Sequence, residues 1–99
     1  MMQANKLREI AIRSQFNLYD EQLRILNEEM KDAAEKGDLS FTINSFECGK
    51  TSFDYSFWFE GAKLNTENWQ KINKTLSELG YTISFNIISF DNMKITVFW

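Results

Sequence analysis

At 99 residues the chain has room for one folded domain, and a content of 43% apolar and 15% aromatic residues is enough to give it a core, though a small one. One cysteine and no histidine exclude an internal disulfide, the usual zinc ligand sets and every histidine-based catalytic arrangement. The net charge of -3, with lysine and arginine scattered, argues against DNA or RNA binding. No stretch approaches the roughly eighteen apolar residues that span a membrane, and no basic leader runs into an apolar segment, so a soluble, cytoplasmic protein is expected.

Leu7, Ile10 and Ala11 open the chain with helical spacing. Ile12, Phe16, Tyr19, Leu23, Leu26, Met30 and Ala33 then recur in alternating steps of four and three, along one side of a helix. Glu21, Arg24, Glu28, Lys31, Asp32 and Glu35 fall largely on other sides. The pattern predicts a long amphipathic helix over 5–36, which Asn17 and Asp20 can break or recap, ended by a left-handed cap at Gly37. Such an apolar edge exceeds what one small sheet covers. Ile12, Phe16, Tyr19, Leu23, Leu26 and Met30 are therefore the expected interface with a second copy, a dimer by default, or with another protein.

Leu39, Phe41 and Ile43 alternate with Ser40, Thr42 and Asn44, a first strand. Segment 45–52, which contains Gly49, reads as a turn. Phe53, Tyr55, Phe57 and Phe59 alternate with Asp54, Ser56, Trp58 and Glu60, predicting a second strand antiparallel to the first. After a connector at 61–64, Asn65 or Thr66 can cap a helix whose stripe is Trp69, Ile72, Leu76 and Leu79 and which stops at Gly80. Tyr81, Ile83, Phe85 and Ile87 predict a third strand, and the change of parity at Ile88 and Phe90 marks a bulge. Asp91 and Asn92 offer a hairpin turn into Met93, Ile95, Val97 and Trp99, which alternate with Lys94, Thr96 and Phe98. A long N-terminal helix followed by β-β-α-β-β predicts a single α+β domain over 1–99, its helices packed on one mainly antiparallel sheet.

Cys48-Gly49-Lys50-Thr51 ends like a phosphate-binding loop, but Asn44 stands where the first glycine belongs and Lys50 leads into a strand pattern, so a turn is expected. Cys48 has no histidine to activate it and reads as a small, half-buried thiol. Asp54 and Glu60, along a strand, would lie about 20 Å apart, too far to act on one atom. Nine Phe, three Tyr and three Trp are the most unusual feature, and most suit the core. Trp58 and Phe98 share the parity of polar neighbours. With Lys94 they form a candidate ligand-binding group on the second sheet face, able to stack a base or meet a protein. No catalytic set, metal site or cofactor site assembles, so the chain is expected not to be an enzyme.

Ala33-Ala34-Glu35-Lys36-Gly37 before a short strand, Leu76-Ser77-Glu78-Leu79-Gly80-Tyr81 leading into Thr82-Ile83-Ser84, and the final Ile95-Thr96-Val97-Phe98-Trp99 are similar to a loose class of small phage and prophage accessory proteins with a long N-terminal helix. The resemblance brings no catalytic residues. It implies a phage origin and work done by binding. The expected function is that of an oligomeric, non-enzymatic inhibitor of a host factor or host defence, or a protein sequestering a host signalling molecule. The alternatives are a structural or assembly component of a virion, and a nucleotide-binding sponge with a pocket between subunits.

Overall fold

A computed structural model describes residues 3–99, at 12–17 as backbone alone. Helix α1 spans Ala4–Glu35, roughly 48 Å by the helical rise, close to the molecule's 53 Å long axis. Residues 3–11 are exposed, whereas Leu18 and Tyr19 pack into the core. From there the buried stripe is Tyr19, Gln22, Leu26, Met30 and Ala33, with Ile25 beside it and Leu23 only half-buried. Relative to the expected seam, this stripe is turned so that Gln22 takes the inner place of Leu23.

Gly37 ends α1 with φ 94°, a conformation that costs other residues about 1 kcal/mol or more. The N–H of Asp38 reaches Ala33 O at 3.0 Å and that of Gly37 reaches Ala34 O at 3.0 Å. Helix α3, Glu67–Glu78, closes identically: Gly80 has φ 95°, and the N–H groups of Tyr81 and Gly80 bond Leu76 O and Ser77 O.

Strands β1 (Ser40–Asn44), β2 (Thr82–Ser89) and β3 (Asn92–Phe98) form an antiparallel sheet in the order β1-β3-β2. The first strand thus pairs with the last. On one face lie Phe41 and Ile43, then Met93, Ile95 and Val97, then Ile83 and Phe85; the other carries Ser40, Thr42, Asn44, Lys94, Thr96, Phe98, Thr82, Ser84 and Asn86. The β2–β3 register slips between Ile87 and Ser89, where the sequence changes parity. Its turn is Phe90 and Asp91, one residue earlier than expected, so that Asn92 begins β3.

Segment 53–59 is not a strand. After an extended stretch, Tyr55 starts a helical run that becomes a π-helical turn at Ser56–Glu60 and continues into α2, Gly61–Leu64. Two local causes favour the helix. The Asp54 carboxylate accepts the N–H of Phe57 at 2.9 Å, which caps the first turn. The apolar positions Phe53, Phe57, Trp58, Gly61 and Ala62 also recur at helical spacing, a pattern hidden by the alternating Tyr55 and Phe59. The wider turn buries Phe57, Trp58 and Phe59 together.

One layer of helices covers one face of the sheet, with α1 against β1, α3 against β2 and the π-helical turn against the central β3. Phe57 and Trp58 meet edge to face at 5.1 Å, Phe53 and Trp58 at 6.0 Å, and Tyr19 and Phe57 at 6.2 Å. Leu26, Ile72, Ile95 and Val97 complete the core with almost no exposure, each contributing about 2 kcal/mol by transfer from water.

Candidate interaction surfaces

The three residues expected to bind a ligand do not come together. Trp58 is 0% exposed, because the helical backbone turns its ring into the core that a strand would have pointed it away from. Lys94 and Phe98 do share the uncovered sheet face, in the middle strand. Around them are serine, threonine and asparagine, with Thr42 and Thr96 hydroxyls bonded at 3.0 Å.

The expected interface is largely used within the chain. Tyr19, Leu26 and Met30 are buried against the chain's own core and Leu23 is half-buried, while the side chains of Ile12 and Phe16 lie outside the described residues. Burial of Tyr19, Leu26 and Met30 is therefore a property of the single molecule, and among the described residues of the expected interface Leu23 keeps partial exposure.

Gln22 is the residue that pattern reading missed. Its Oε1 accepts the indole N–H of Trp58 at 2.8 Å and the backbone N–H of Asp54 at 2.9 Å, and its Nε2 donates to Ser52 O at 3.1 Å. Both acceptor sites and one of the two donors of this buried amide are thereby spent on the segment leading into the π-helical turn. The available signal was position: Gln22 follows Tyr19 by three and precedes Leu26 by four, on the buried side.

Apolar surface remains in several places. A groove of about 330 Å³ between α1 and α3 is lined by Leu23, Leu26, Met30, Leu76, Leu79 and Tyr81, with Leu79 68% exposed on its rim. Further along α1, a second hollow shares Met30 and Tyr81 and reaches Ala34 and Trp99. The hairpin end exposes Ile87, Ile88 and Phe90, and the free start of α1 exposes Leu7 and Ile10. A more polar cavity of about 400 Å³ follows the outer side of β1, bounded by Ile25, Glu29, Glu47 and the 51–53 segment.

Ionisable groups assemble little chemistry. Arg24 and Glu28 pair at 2.9 Å and Lys6 and Glu9 at 4.0 Å, both on the solvent side of α1. Asp54 serves as a helix cap and Glu60 is exposed. Burial, then Asp54 and Glu47, push the Cys48 thiol above its ordinary value, away from the thiolate a nucleophile needs. Among the described residues no three of Cys, Asp and Glu stand together to hold a metal ion, and no helix is long and apolar enough to cross a membrane. Comparison with protein families, curated proteins and solved structures finds no match.

Proposed function

We propose that this chain is a small, non-enzymatic binding protein of the phage accessory kind, which acts as an oligomer by occupying and inhibiting a host protein. The groove between α1 and α3 carries this reading. Its floor of Leu26, Met30 and Leu76 is fixed by the core, while Leu23, Leu79 and Tyr81 leave an apolar opening suited to one anchoring side chain of a partner. Asp20 and Arg24 at its edge supply the polar rim.

Affinity capture from host cells tests the proposal, using the full chain and Leu79→Lys. Leu79 is exposed, so the substitution spares the fold and charges the opening. Stoichiometric capture of one host protein, reduced at least about tenfold by Leu79→Lys, is the expected result. Equal recovery by both chains would contradict it. The freestanding start of α1, with Leu7 and Ile10 exposed, favours a second reading as an assembly component docked to a larger virion protein. Ordered rings or filaments in electron micrographs would support that reading. Sequestration of a nucleotide would instead leave intact nucleotide in the denatured eluate.

A further inference from the structure

We propose that β2 pairs antiparallel with β2 of a second copy, joining two three-stranded sheets into one of six strands. The inference rests on the reading that the chain works by association, and it names the contact between copies. β3 lies along one side of β2 and, among the described residues, no strand lies along the other. Alternate N–H and C=O groups of a strand point to each side. Among the described residues, no backbone hydrogen bond outside the β3 ladder involves Thr82–Ser89.

The two free edges of the sheet differ. β1 is short and its outer side lies in the cavity flanked by α1 and the 51–53 segment, with Glu29 and Glu47 at hand. β2 is longer, and its sequence, Thr-Ile-Ser-Phe-Asn-Ile-Ile-Ser, has no charge, proline or glycine. Lysines, prolines or a covering element normally guard such an edge against pairing. Among the described residues, what guards this edge is the bulge at Ile88, near the far end.

The strand also fits itself. A two-fold axis that pairs like strands antiparallel stands perpendicular to the sheet, keeps like faces together and passes a residue lying opposite its own copy. With Phe85 on the axis, Ile83 lies opposite Ile87 of the second copy and Ser84 opposite Asn86. The helix-covered face therefore continues into its equal, and the polar face likewise. Ile87, 61% exposed in the single chain, gains an apolar neighbour. Beyond it, the hairpin end bearing Ile88 and Phe90 comes level with Tyr81 and the exposed Leu79 of the second copy. No like charges meet across the axis, because the strand has none.

The test is light scattering on the full chain from micromolar to several hundred micromolar, with circular dichroism confirming each variant's fold. The wild-type chain is expected to reach the dimer mass. Compared in a Lys94→Gln background, because Asn86 faces Lys94 across β3 of its own chain, Ser84→Lys with Asn86→Lys, both on the polar face, opposes like charges twice and should weaken the dimer at least about tenfold. Ser84→Lys with Asn86→Glu opposes unlike charges and should restore it. A wild-type chain monomeric throughout, a double-lysine variant as tightly dimeric as wild type, or a lysine-glutamate variant as weak as the double-lysine one would overturn the pairing. A monomer that still captures a host protein through Leu79 removes the strand pairing alone; a dimer that captures nothing removes the host-binding reading alone.

Discussion

Gln22 Oε1 stands 2.8 Å from the indole nitrogen of Trp58, a hydrogen bond between the middle of α1 and the π-helical turn lying over the central strand. The same oxygen accepts the N–H of Asp54, and Asp54 in turn caps the helical run that carries Trp58. One buried amide therefore holds both the ring and the start of the helix that presents it.

Gln22→Leu should lower unfolding free energy by about 1–3 kcal/mol, because it strands the buried indole N–H of Trp58 and removes the acceptor of the half-buried Asp54 N–H. Trp58→Phe combined with Gln22→Leu should cost less than the sum of the singles, since the two groups form one network. Urea unfolding followed by circular dichroism measures both, and strict additivity would show that the pair is not coupled.

At the start of α3, the Thr66 hydroxyl accepts the N–H of Trp69, and a Cβ on Gly61 would come within 3.2 Å of that hydroxyl. Thr66→Ala should cost about 1 kcal/mol. Gly61→Ala should also destabilise by pressing on the cap, and its penalty should shrink when Thr66 is already alanine. A double-mutant cycle in chemical denaturation checks the sign of that coupling.

Ser45 extends the sheet where β1 ends. Its hydroxyl accepts the buried N–H of Met93 at 2.8 Å and donates to Asp91 O at 3.4 Å. Ser45→Ala leaves the Met93 N–H unpaired and should cost about 1–3 kcal/mol. Amide exchange at Met93 should quicken more than at Ile95, which a site-resolved exchange experiment reads directly.

Cys48 supplies a pH dependence. Folding raises the pKa of its thiol above the ordinary 9.0, through burial first and then Asp54 and Glu47. The folded state thus favours the neutral thiol, and the unfolded chain gives up its proton at lower pH. The corresponding stabilisation is complete below the ordinary value and is lost as pH rises through the folded one. Stability should fall more steeply above pH 9.0 in the wild-type chain than in Cys48→Ala, and identical slopes would refute the assignment.

Much of this architecture is written locally. Gly37 and Gly80 stop their helices because each must adopt positive φ, and the parity change at Ile88 marks the register slip. Alternation also separates the covered from the polar face in β1 and β3. The 53–59 segment was illegible for a physical reason: aromatic residues on both parities satisfy strand and helix patterns alike, and the Asp54 cap and the amide of Gln22 decide between them. Misplacing that segment also placed Trp58 on the open sheet face and supplied β1 with the wrong neighbour. On the α1 seam, Tyr19, Leu26 and Met30 share one buried cluster with Phe53, Phe57 and Trp58, and Tyr19 meets Phe57 edge to face, so part of the apolar stripe is satisfied within the chain.

The proposed function stands on association, and a native mass spectrum of the chain purified from cells is the sharpest test of it. Masses of two or more chains, or of chains carrying a stoichiometric partner, are expected to persist as the sample is diluted to low micromolar concentration. A bare single-chain mass at every concentration, with nothing retained, would contradict it.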